Sequence, residues 1–132
     1  MASVKTLVSG NRKLVVNITG AFSVADETNV VVIDRSTLIG PDGVNVPGRI
    51  RIDAITWAVG AGFDSVKLSF DHTTDEVIEY LQGPGYMDYR PAGGKSPATA
   101  PSAAADGDVL LSTTGGAAND TYSILLECTL KN

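Results

Sequence analysis

Apolar and polar residues alternate with a period of two through several short stretches of this chain. Each stretch is bounded by Gly, Pro, Asn or Asp, the pattern of half-buried strands separated by turns. Residues 13–20 place Leu14, Val16 and Ile18 on one face and Val15, Asn17 and Thr19 on the other. Residues 29–34 instead run Val30, Val31, Val32, Ile33 without a break, which fits a strand covered on both sides. In 65–71 the alternation is clean, Val66, Leu68 and Phe70 against Lys67, Ser69 and Asp71. Residues 49–59 change phase midway, from Ile50 and Ile52 to Ile55, Trp57 and Val59. One extra residue flips every later side chain to the other face, so this slip predicts a β-bulge near Asp53-Ala54.

The remaining segments are 76–82, 108–113 and 121–131. In 76–82, Thr73 with Glu76 has the spacing of a helix capping box, but only about two turns remain before Gly83-Pro84-Gly85, and the segment reads as a strand. In 121–131, Tyr122, Ile124, Leu126, Cys128 and Leu130 share a face, which makes Cys128 a small core residue rather than a reactive thiol. Pro41-Asp42-Gly43, Pro47-Gly48 and Gly60-Ala61-Gly62 are turns. About eight short strands without a long helix predict an all-β fold, an antiparallel, jelly-roll-like β-sandwich forming one domain over residues 1–132.

Two segments stand outside that sandwich. Residues 1–10 form a possible N-terminal arm, able to add as an edge strand to a neighbour. Residues 83–106 lose the alternation, and sixteen of these 24 are Gly, Pro, Ala or Ser, which predicts one long loop of the functional or disordered kind. Its first part carries Tyr86, Met87, Tyr89 and Arg90, residue types enriched at the centres of interfaces, and these are the candidate partner-binding residues. The alternative is that Tyr86 and Tyr89 cap one end of the sandwich. Its second part, 95–105, holds Pro97, Pro101 and three successive alanines and can bury little.

Composition narrows the chemistry. The chain has 132 residues, 43% of them hydrophobic, with a mean hydropathy of +0.10. No apolar run approaches the ~20 residues of a membrane span. Net charge −5 and a pI near 4.6 remove the basic footprint of nucleic-acid or anionic-membrane binding. One Cys and one His leave no material for a disulfide scaffold or a cysteine-rich zinc module. Asp71, His72, Asp75 and Glu76 lack the spacing of a zinc or calcium loop and read as a solvated turn. There is no nucleophile elbow, Walker loop or dinucleotide fingerprint, so no catalytic, cofactor-binding or metal-binding residue is assigned, and no enzyme is expected. Trp57, in a run with Ile55 and Val59, reads as core, although an exposed indole there would offer a sugar-stacking platform. The first ten residues hold no apolar leader, which predicts synthesis and folding in a cytoplasm.

The succession 49–57 (Arg-Ile-Arg-Ile-Asp-Ala-Ile-Thr-Trp), 65–71 (Ser-Val-Lys-Leu-Ser-Phe-Asp), 83–89 (Gly-Pro-Gly-Tyr-Met-Asp-Tyr), 107–113 and 121–126 resembles small β-rich structural proteins of tailed bacteriophage virions, of the capsid decoration or cement type. The likeness spans roughly residues 49–130 and consists of strands and turns without a chemical signature. It implies a virion component made in the host cytoplasm, present in many copies, with the major capsid protein or other virion proteins as partners. It also implies homo-oligomers, trimers by preference because they match local three-fold positions of a capsid. Such proteins have no catalytic residues to carry over. The competing readings are a phage neck or tail component, a carbohydrate-binding receptor-recognition module, and a small cupin-like metal enzyme, which would need more histidines than His72.

Overall fold

A computed structural model describes residues 2–22, 24–97 and 107–131. Nine strands form among them, β1 (Ser3–Ser9), β2 (Lys13–Ala21), β3 (Val30–Ile33), β4 (Arg49–Val59), β5 (Ser65–Phe70), β6 (Glu76–Leu81), β7 (Pro84–Asp88), β8 (Val109–Thr114) and β9 (Thr121–Lys131). They build two antiparallel sheets, a five-stranded one ordered β1-β2-β9-β4-β7 and a four-stranded one ordered β3-β8-β5-β6. The pairs β2/β9, β3/β8, β4/β7 and β5/β6 nest one inside the next. An eight-stranded antiparallel ribbon rolled into two facing sheets is the jelly-roll arrangement, with β1 added at one edge.

The core lies between the sheets. Leu14, Val16 and Ile18 of β2, Ile50, Ile52 and Ile55 of β4 and Ile124, Leu126, Cys128 and Leu130 of β9 face Val66, Leu68 and Phe70 of β5 and Val109 and Leu111 of β8. All are buried. These are the alternating positions of the sequence pattern, and their burial drives the two layers together.

The expected bulge is present: the β4–β9 register shifts between Ile52 and Ala54. It is tied down on three sides. Arg51 Nε donates to Asp53 Oδ1 at 2.8 Å, Thr129 Oγ1 donates to Asp53 Oδ2, and Tyr89 N–H donates to the Asp53 carbonyl at 2.8 Å. Asp53 is only 2% exposed, so its carboxylate is satisfied by side chains rather than by water.

Two expectations are corrected. The N-terminal arm 1–10 is largely strand β1, which closes a hairpin onto β2 with Ser3 opposite Thr19 and Ser9 opposite Leu14. Its start is anchored where Ala2 N–H donates to Glu27 Oε2 at 3.0 Å. The long loop 83–106 begins with strand β7, paired with β4 from Ala54–Asp88 to Ala58–Pro84. Gly85 leaves room for the Trp57 ring across that pairing, because a Cβ there would lie 2.3 Å from it. Beyond β7 a 3₁₀ turn, Arg90–Ala92, leads to Lys95, which exchanges two backbone hydrogen bonds with Ile52. Residues 98–106 of the expected loop lie outside the described residues.

Candidate functional site

Among the described residues, the two unpaired edges of the five-stranded sheet are β1 and β7. All seven residues of β1 are exposed, among them Val4, Leu7 and Val8 at 41%, 50% and 47%. Residues paired across a ladder share a face. Val4 opposite Ile18 and Thr6 opposite Val16 therefore point to the core side, while Lys5 opposite Asn17 points outward. A register shift between Thr6 and Val8 then sends Val8, opposite Val15, to the outer face. At the far edge Met87 opposite Ile55 points to the core side, and Tyr86 opposite Thr56 and Asp88 opposite Ala54 point outward. Val4 and Met87 thus sit on core-facing positions yet remain exposed, because the sheet ends beside them.

The four residues singled out from the sequence divide. Tyr86 and Met87 are exposed on β7. Arg90 is exposed as well, its Nε donating to Asp88 Oδ1 at 2.9 Å and its Nη2 lying 3.5 Å from the Tyr86 hydroxyl. The Arg90 backbone N–H and then its guanidinium hold the Asp88 carboxyl below the ordinary aspartate range, and Asp88 in turn raises Arg90. Tyr89 does not join them. Asp88 ends the strand, Tyr89 takes a helical backbone conformation, and its ring enters the core. Its hydroxyl donates to Glu79 Oε2 at 2.7 Å, and Lys95 Nζ lies 4.8 Å above the ring while donating to the Ile78 carbonyl. Burial first, and Glu79 second, push the Tyr89 hydroxyl pKa well above the usual tyrosine value. Tyr89 therefore closes the sandwich at β6 and β7, as the capping alternative has it for this residue but not for the exposed Tyr86.

The outer face of the same sheet carries two open depressions of about 560 and 270 Å³. Small side chains line them, Ser3, Thr19, Ala21, Ala58 and Ser123 in the larger and Asn17, Thr56 and Leu125 in the smaller. Trp57 borders the smaller one, but its register places it with Ile124 on the core side, and its indole N–H donates to the Gln82 carbonyl at 3.1 Å.

Other candidate chemistry is accounted for. His72 N–H and Asp75 Oδ1 form a 3.1 Å turn contact after β5, and no group of three His, Cys, Asp or Glu suited to a metal ion occurs among the described residues. Cys128 is fully buried, and burial, with Asp53 nearby, pushes its thiol up to about 12. Two long-range clusters carried no local sequence signal. One is Glu79–Tyr89–Lys95. In the other, Glu27 accepts from Ala2 N–H and, at 2.7 Å, from the Tyr122 hydroxyl.

Set beside known protein families, curated proteins and solved structures, the chain has no match in any of the three.

Proposed function

We propose that this protein is a non-enzymatic structural component of a phage particle, a decoration or cement protein that seats on the assembled shell and contacts the major capsid protein. The observation that carries the reading is the set of exposed apolar side chains at the edges of one sheet, Val4, Leu7 and Val8 on β1 and Tyr86 and Met87 on β7. Edge strands of that kind invite pairing with another chain, a role that needs surface and symmetry rather than catalytic groups. The jelly roll supports it by analogy of fold, since viral capsid domains use this architecture. A protein bound only to the assembled shell would add its association free energy to the shell's resistance to disruption.

The test is co-sedimentation of the purified protein with shells that lack it, together with a mass-spectrometric inventory of the particle. Saturable binding and hundreds of copies per particle are the expected result, and a dozen copies would move the protein to the neck or tail. No binding and no copies in the particle would overturn the reading. Lectin domains share this fold, and the depression bordered by Asn17, Thr56 and Ser123 with Tyr86 on the next strand gives a carbohydrate-binding reading its one specific support. A glycan array decides it, with Tyr86→Ala expected to abolish any signal found.

A further inference from the structure

We propose that copies of this protein associate head to tail, the β1 edge of one continuing the five-stranded sheet of the next at its β7 edge. The contact would set Val4 beside Met87 and Lys5 beside Asp88. The inference deepens the structural reading above by naming the contact between copies.

Direction comes first. Each of the four ladders joining β1, β2, β9, β4 and β7 is antiparallel, so β1 and β7 run the same way at opposite edges. A copy added by rotation about an axis along the strands brings its β1 parallel to this β7. Side-chain alternation then leaves few registers. Aligning Lys5 with Asp88 also aligns Val4 with Met87, so that on the core side two exposed apolar residues cover each other. On the outer side an ammonium meets a carboxylate. Both Arg90 contacts fall on Asp88 Oδ1, and Oδ2 has no partner among the described residues.

The two-fold alternative, β1 against β1, offers Lys5 no opposite charge, since β1 holds no carboxylate. Val4 faces the core side and Val8 the outer side, so a pairing that keeps faces matched is confined to Ser3–Thr6. Two antiparallel registers of equal length satisfy this: one sets Lys5 opposite Lys5, where like charges destabilise the pair, and the other sets Val4 opposite Val4 and Lys5 opposite Ser3, with no ion pair. A heterologous contact of this kind makes a ring where the rotation closes and a filament where it does not. The β7 edge is only five residues long, so firm association depends on closure, which holds each copy on two sides.

The experiment uses the full chain carrying Val4→Cys or Met87→Cys, the native Cys128 being buried and silent. Under mild oxidation the mixture of the two variants is expected to give a disulfide-linked heterodimer, while neither variant alone crosslinks. In sedimentation velocity, Lys5→Glu is expected to weaken self-association at least tenfold, and adding Asp88→Lys to restore it. A monomer at every concentration, crosslinking of Val4→Cys with itself, or a charge swap without rescue would overturn the inference. Shell binding by a protein that stays monomeric would sink this contact and leave the structural reading intact. A head-to-tail multimer with no affinity for any shell would do the reverse.

Discussion

Replacing Asp53 by Ala tests the bulge as the pin of the five-stranded sheet. The carboxylate is 2% exposed and accepts from the Arg51 guanidinium and the Thr129 hydroxyl, joining β4 to β9. A hydrogen bond to a charged group contributes about 1.5–3 kcal/mol, and removing one partner of a buried pair leaves the other unsatisfied. Arg51 keeps 25% side-chain exposure and water can take over part of its need, which brings the expected loss to about 3 kcal/mol. For a chain of this length that corresponds to about 10 °C in Tm and a drop of roughly 1.5 M in the urea midpoint. Urea unfolding followed by far-UV circular dichroism measures it. Asp53→Asn, which keeps an acceptor for Thr129, is expected to lose about half as much. A double-mutant cycle of Asp53→Ala with Arg51→Met should return a coupling above about 1 kcal/mol. A loss under about 0.5 kcal/mol for Asp53→Ala would refute the idea that side-chain contacts hold the bulge.

Three further outcomes follow from buried groups. Cys128, with its thiol raised to about 12 by burial and then by Asp53, is expected to resist iodoacetamide at pH 8 and to label only at the rate of unfolding; fast labelling of native protein would contradict the packing. Burial, then Glu79 and Glu27 respectively, raise Tyr89 and Tyr122 far above the tyrosine value of 10. Their stabilisation is complete below pH 10 and is lost as the pH climbs beyond it, so in an alkaline absorbance titration these two phenols should ionise only as the chain unfolds. Ser69 Oγ is buried with no hydrogen-bond partner among the described residues, and Ser69→Ala is expected to be neutral or to raise stability by up to about 1 kcal/mol in urea unfolding; a marked loss would reveal a partner.

The parts of the fold that bury one face were legible in the sequence. Period-two alternation marked β2, β5 and β9, and the phase slip in 49–59 put the bulge near Asp53-Ala54, within a residue of the observed shift between Ile52 and Ala54. Strands without that contrast were not legible. Every residue of β1 is exposed, so its sequence carries no difference between inside and outside, and the segment read as an arm. Strand β7 is five residues with Pro84 and Gly85 in it, which signals a turn unless the Trp57 ring that packs on Gly85 is known. Of the candidate contact residues, Tyr86 and Met87 are exposed, but on an edge strand where the sequence read a loop. The burial of Tyr89 was not legible, because the backbone change after Asp88 and the partners Glu79 and Lys95 are tertiary facts.

The place of β9 between β2 and β4 has a consequence for how the chain is made. Some hundred residues separate the end of β2 from the start of β9, about 5–20 s of synthesis at a ribosome's pace. Until β9 emerges, β2 and β4 lack the neighbour they share, and their apolar rows wait with open backbone edges. The chain would then carry its greatest risk of aggregation during translation, and the supply of chaperones in the producing cell, more than the stability of the finished sandwich, would set its yield.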